Sequence, residues 1–198
     1  MQRNIMQMRI YFSKHYLNNS TFLLHNSIEK ELDLRGLLSY NFTIERDECG
    51  KPFVKNIKNL SFNLSHTSCM WVCVFSDTGE PIGIDIEKKD RLPSEHSIIA
   101  KEYFHYKEIS LYNQAVNNFI RIWSAKESYV KCYGMGTKKE ISSFTVVENN
   151  KIKRNVLDCN LEQFEFEDKF ILSICSVEDI NSIELIEIPN FFEDSLYA

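Results

Sequence analysis

The stretch Ile82-Gly83-Ile84-Asp85-Ile86-Glu87 constrains the fold of this chain more than any other. Three isoleucines alternate with glycine, aspartate and glutamate. In a strand, where successive side chains point to opposite faces, the isoleucines share one face and both carboxylates share the other. The apolar face must be covered by another layer. Two neighbouring acids on the other face are hard oxygen ligands of the kind Mg²⁺ takes alongside water and phosphate oxygens, although a solvated strand face would carry the same pattern.

The surrounding sequence supplies the other layers. STFLLHNSIEKELDLRG carries Leu24, Ile28 and Leu32 at spacing four with Gly36 after them, which predicts an amphipathic helix over about residues 21–35. Short apolar runs follow in NFTIE, SFNLS and MWVCVF, broken by the turn sequences Gly50-Lys51-Pro52 and Asp77-Thr78-Gly79. Between Ser94 and Gly134 the pattern is helical in three pieces, and strands return in SSFTVVE, FEFED and FILSICSV. Helix, strands, helices, strands describes an α+β chain of two similar halves, with no repeat visible residue by residue. The tail IPNFFEDSLYA shows no period and reads as loosely held.

With 198 residues, 43% of them hydrophobic, the chain can bury a substantial core as one compact unit. Its formal charge of −5 gives no global field for nucleic acid or anionic lipid, so phosphate chemistry has to rely on a local cluster. The N-terminal MQRNIMQMRIYFSKHY has no unbroken apolar region, and no run is long enough to span a bilayer. Six scattered cysteines without a C-x-x-C pair read as reduced core thiols. These readings imply a cytoplasmic protein that does not act on membranes or nucleic acid.

Four of only six glycines, Gly50, Gly83, Gly134 and Gly136, fall inside the segments with chemical content. In IWSAKESYVKCYGMG, Trp123, Glu127 and Lys131 recur every four residues and share a helix face, with Lys126 alongside. Alone, that pattern equally describes a surface Glu-Lys pair. Gly50-Lys51-Pro52 and Ser65-His66-Thr67 are ordinary turn and strand-end sequences that also carry phosphate donors.

Taken together and in order, GKP, FNLSHT, IGIDIE and WSAKESYVKCYGMG resemble the Sfp-type 4′-phosphopantetheinyl transferases over about residues 20–176. The resemblance implies a pseudo-twofold α+β fold of two fused halves, residues 1–90 and 91–198, with coenzyme A in the cleft between them. It implies transfer of the phosphopantetheine arm to a serine of an acyl or peptidyl carrier protein, with release of 3′,5′-ADP. Residue by residue, Asp85, Glu87 and Glu127 match the metal ligands for Mg²⁺ or Mn²⁺. Lys131 and Lys126 match positions facing the pyrophosphate, and Lys51, Ser65 and His66 match the 3′-phosphate and adenosine end. Glu127, Lys131 and Glu108 form the catalytic set, the proton acceptor being Glu127, Glu108 or a metal-bound water. Because both halves lie in one chain, a monomer is expected.

The sequence departs from the family pattern in two places. His105 stands where a small hydroxyl residue is common, and Asn19-Ser20-Thr21 lacks the usual basic residue ahead of the first helix. The segment before that helix looks short, so Arg3, Arg9 or Lys14 would have to supply the charge. Two other readings remain: a transferase-like module that binds coenzyme A or a carrier without turnover, and another Mg²⁺-dependent phosphoryl transferase, for which no P-loop is present.

Overall fold

The computed structural model describes residues 7–14, 16–37, 41–76, 78–134 and 138–189. Arg3, Gly136 and the tail from residue 190, on which some of the sequence expectations fall, lie outside them.

In chain order the elements are β1 (Gln7–Lys14), α1 (Ser20–Leu34), β2 (Ile44–Arg46), β3 (Pro52–Val54), β4 (Ser61–His66), β5 (Met70–Ser76) and β6 (Ile82–Lys88), then α2 (His96–Tyr103), α3 (Tyr106–Gln114) and α4 (Asn118–Tyr133). A 3-10 turn (Lys138–Ser143) leads to β7 (Val147–Glu148), β8 (Lys151–Ile152), β9 (Asn155–Val156), β10 (Cys159–Phe166), β11 (Phe170–Ser176) and β12 (Ser182–Glu187). Two four-stranded sheets dominate, in the orders β12-β1-β5-β4 and β6-β11-β10-β9.

Alternation on the strands builds the layers. Met8 and Ile10 of β1, Val72 and Val74 of β5, Ile82, Ile84 and Ile86 of β6, and Leu172 and Ile174 of β11 form one core, shared by the two sheets. The opposite faces of β1 and β5 send Tyr11, Trp71, Cys73 and Phe75 against Leu23, Leu24, Ile28 and Leu32 of α1. The other face of β11 sends Ile171 and Cys175 toward α4, with Phe119, Ile122 and Ala125. Each sheet is thus covered outside by helix, and the chain has the α+β architecture that its patterning implies.

The acidic face of β6 is not solvated: β6 is buried on both faces through Ile86. Gly83 makes this possible, because a Cβ there would lie 2.1 Å from the Ser128 carbonyl oxygen and 2.3 Å from the Cys132 amide nitrogen of α4. Only glycine lets helix backbone approach strand backbone so closely.

Several details differ from the sequence reading. β1 is a full eight-residue strand, although its segment looked short. SSFTVVE was expected as one strand, but Ser142 and Ser143 lie in the 3-10 turn and only Val147–Glu148 pairs. β6 pairs with β11, outside the sheet of the N-terminal strands, and β12 returns to pair in parallel with β1. The two sheets therefore do not divide at residue 90.

Candidate active site

The site forms where three elements meet. β4 brings Ser65, β6 brings Asp85, and α4, held against β6 by the Gly83 contact, brings Lys131. Asp85 is 3% exposed. Its Oδ1 accepts the Lys131 ammonium at 2.6 Å and the Ser65 hydroxyl at 3.0 Å, and Lys131 Nζ also donates to Ser65 Oγ at 3.0 Å. Asp85 Oδ2 is buried and has no hydrogen-bond partner among the described residues. A buried carboxylate oxygen without a donor is costly, and such groups mark functional positions.

Glu87 and Glu127 complete the cluster. Burial pushes the Glu87 carboxyl up to about 7, the charges of Asp85 and Glu127 add to this, and Lys131 and Arg91 oppose it. Burial alone would lower Lys131, but the charge and hydrogen bond of Asp85, with Glu127 and Glu87 behind them, hold it above the ordinary lysine range. Three carboxylates and one ammonium thus act on one another, leaving an excess of negative charge. Among the described residues no three His, Cys, Asp or Glu side chains stand ready-made around a metal position.

Glu127 and Lys131 open onto a cleft of about 770 Å³, whose other walls are Ser20, Thr21 and Leu24 of α1, the β2–β3 hairpin from Ile44 to Pro52, and Asn63 and Leu64 of β4. That volume suits a cofactor-sized ligand. Lys51 lies in the hairpin wall with its ammonium on the carbonyls of Lys131, Cys132 and Ile82.

Other predicted site residues are placed elsewhere. Ser65 is buried in the carboxylate cluster, while exposed His66, next along the strand, lies beside the Tyr16 ring at 4.7 Å. The two donors of that motif therefore part. Lys126 and Glu108 were expected at the phosphates and as an assisting base, but their side chains are 0% exposed and paired at 2.9 Å. Lys126 also donates to the Phe144 carbonyl, and Glu108 accepts the Val146 and His105 amides. This is a satisfied internal network tying α3, α4 and the 144–146 segment together, and neither residue lines the cleft. His105 caps α3, its Nδ1 accepting the Lys107 amide at 3.3 Å, so it takes the work a hydroxyl residue does at a helix start. Trp123 stacks on Phe119 within the helical layer.

Of the basic residues proposed to replace the missing charge on α1, the two among the described residues are also engaged. Arg9 donates twice to Glu31, and Lys14 pairs with Glu167 and Glu187. Sequence reasoning missed Arg46 and Asn63, which line the cleft. Arg46 follows the NFTIE run, where a cation beside the GKP turn was a usable signal. Asn63 accepts the Ile84 amide at 2.9 Å through Oδ1, joining the sheets; its polar side chain inside the apolar SFNLS run was the clue.

A family profile described as the 4′-phosphopantetheinyl transferase superfamily matches residues 81–180, the segment carrying Asp85, Glu87, Glu127 and Lys131. The chain is 31% identical to the 4′-phosphopantetheinyl transferase gsp of Aneurinibacillus migulanus over 80% of its own length and 70% of that protein. The chain belongs to the 4′-phosphopantetheinyl transferase superfamily. It is also 26% identical to the 4′-phosphopantetheinyl transferase Sfp of Bacillus subtilis, over 83% of its length and 81% of the relative. A further relative, the 4′-phosphopantetheinyl transferase HetI of a Nostoc species, is 35% identical over 46% of this chain and 40% of its own. The protein is thus a 4′-phosphopantetheinyl transferase, an enzyme that moves the phosphopantetheine group of coenzyme A onto carrier proteins. No helix among the described residues of the transferase is long and apolar enough to cross a membrane.

Proposed function

We propose that the enzyme transfers the 4′-phosphopantetheine arm to a serine hydroxyl of an acyl or peptidyl carrier protein, with Mg²⁺ as resident metal and 3′,5′-ADP as the leaving product. The observation that carries this is the Asp85 carboxylate: one oxygen is held by Lys131 and Ser65, the other is buried with no donor among the described residues, and two more carboxylates stand in electrostatic contact. A buried carboxylate oxygen without a partner among the described residues, with two half-buried carboxylates acting on the same cluster, suits a divalent cation, and the all-oxygen donor set suits Mg²⁺ or Mn²⁺. Asp85, Glu87 and Glu127 would hold it. When bound, the metal supplies positive charge to the pyrophosphate oxygens.

The chain's own residues do the rest. The cleft walls orient the coenzyme, so that attack by the serine becomes effectively intramolecular. Lys131, kept charged by its carboxylate neighbours, neutralises charge that builds on the pyrophosphate as the phosphorus–oxygen bond to ADP breaks. Glu127 lines the cleft, which supports reading it as the acceptor of the serine proton. Glu108 is not, because its carboxylate is consumed by Lys126 and two backbone amides. Since α1 and the β2–β3 hairpin on one side and α4 on the other wall one cleft within a single chain, the enzyme is read as a monomer, and its free cysteines support reading it as cytoplasmic.

The test is mass spectrometry of an apo-carrier incubated with coenzyme A and the enzyme, with Mg²⁺ or with EDTA. The expected result is a gain of one phosphopantetheine on a serine with Mg²⁺ and none with EDTA. Undiminished transfer in EDTA would remove the metal from the mechanism.

A further inference from the structure

The hairpin carrying Lys51 is folded largely by its own bonds. Asp47 Oδ1 accepts the amides of Cys49 at 2.9 Å and Lys51 at 2.8 Å. The Asp47 amide donates to the Lys51 carbonyl, and the Gly50 amide donates to the Asp47 carbonyl. Gly50 takes a φ of 83°, and Arg46 Nη1 holds the Gly50 carbonyl at 2.8 Å. The loop is therefore held by several bonds of its own and aims Lys51 in one direction.

That direction is the end of α4. Lys51 Nζ donates to the carbonyls of Lys131 at 2.8 Å and Cys132 at 2.9 Å, in the last turn of α4, and to the Ile82 carbonyl at 3.3 Å, at the start of β6. An ammonium has three hydrogens, and three acceptors take them. The two helix carbonyls are at the negative end of the α4 dipole, where a cation is favoured. One of them belongs to Lys131, the residue that reaches Asp85, and the Ile82 carbonyl lies beside Gly83, where helix and strand touch. The loop also packs on the helix cap, because a Cβ on Gly134 would lie 3.5 Å from Asp47 Oδ2 and from Lys51 Cδ.

We propose that Lys51 is a positioning residue, a clamp that fixes the end of α4 against β6 and so sets Lys131 against Asp85, and that it makes no contact with the coenzyme's 3′-phosphate. The sequence resemblance placed Lys51 at that phosphate; the geometry spends all its donors on backbone. This inference rests on reading Asp85 and Lys131 as part of the transfer site.

Two full-length variants test it. Lys51→Met keeps the stem and removes every donor, whereas Lys51→Gln keeps amide donors for carbonyls and removes the charge. For each, turnover is measured at saturating carrier and Mg²⁺, and dissociation constants of coenzyme A and 3′-dephospho-coenzyme A are measured by calorimetry. The clamp predicts that turnover falls about 10- to 100-fold in Lys51→Met, as for a small misplacement of reacting groups. Lys51→Gln should recover part of that loss, and in both variants the ratio of the two dissociation constants should stay within about twofold of wild type. If Lys51→Met does not fold, the ratio in Lys51→Gln decides alone. A tenfold or larger loss confined to coenzyme A in either variant would overturn the clamp and restore the phosphate contact, and wild-type turnover in Lys51→Met would also overturn it. Lys131→Ala, run in parallel, separates the two readings, because unchanged turnover there sinks the assignment of the transfer site and leaves the Lys51 ligand ratio to be judged independently.

Discussion

Lys131 Nζ stands 2.6 Å from Asp85 Oδ1, an ammonium from α4 closing on a carboxylate from β6, and Ser65 of β4 bonds to both. The pair ties the two sheets and the covering helix together at the cleft, so structure and chemistry share the same atoms. Replacing Lys131 by Met strands a buried carboxylate, and the variant should lose stability as well as about 10²–10³ in turnover. Adding Asp85→Asn should return much of the unfolding midpoint and none of the turnover. Recovery of both in the double variant would mean that the pair is structural only.

Gly83 sets the distance between those partners. Gly83→Ala would put a carbon 2.1 Å from the Ser128 carbonyl, which backbone cannot tolerate without moving. The expected cost is at least about 1–3 kcal/mol of overpacking strain, together with a lower turnover because α4 carries Lys131 and Glu127 away from β6. Thermal unfolding and initial rates check both, and a variant with wild-type values for each would show that the close packing is incidental.

The alternation in IGIDIE was enough to place Asp85 and Glu87 on one face, because period-two patterning has a single geometric meaning. The helix carrying Glu127 and Lys131, and its end at Gly134, were equally legible from spacing and a C-terminal glycine; Gly134 indeed takes a left-handed φ of 65°. Which of several lysines faces the cleft was not legible. Lys126 and Lys131 are five apart on the same helix, yet one is sealed against Glu108 and the other meets Asp85, and that choice depends on which neighbours cover each face. β12 escaped notice because SIELIE pairs in parallel with the distant β1 and carries mostly half-exposed or exposed residues, so no local pattern announces it. Arg46 and Asn63 act through contacts that only the assembled hairpin and sheets create.

The buried Lys126–Glu108 pair gives a separate test of the same assignment. Glu108→Gln leaves the Lys126 charge uncompensated and should destabilise the fold by about 3–5 kcal/mol, while the affinity for coenzyme A in the folded fraction stays unchanged. Calorimetry below the unfolding temperature and denaturant unfolding supply the two numbers. A large loss of coenzyme affinity in a well-folded variant would return Glu108 and Lys126 to the substrate site.

Glu31 predicts how the N-terminal half answers to acid. It is fully buried; burial pushes its carboxyl up, but hydrogen bonds from Arg9 and Arg35 and their charges outweigh this and hold it below the ordinary value. A carboxylate lowered by folding contributes stability above its unfolded value, and the contribution is lost as pH falls through the carboxylate range. Wild type should therefore exceed Glu31→Gln in unfolding midpoint at about pH 7, and the gap should narrow toward roughly pH 3. A gap that is constant over that range would contradict the ion-paired state of Glu31.

The most direct measurement is the initial rate at which phosphopantetheine appears on a carrier serine, followed by mass spectrometry at saturating coenzyme A, carrier and Mg²⁺, for wild type and Asp85→Asn. Asparagine keeps the size of the side chain and removes the charge that holds Lys131 and suits a cation. The account predicts a folded variant whose rate is lower by at least about 10²–10³, with excess Mg²⁺ unable to restore it. A folded Asp85→Asn enzyme working within a few-fold of wild type would contradict the assignment of this cluster as the transfer site.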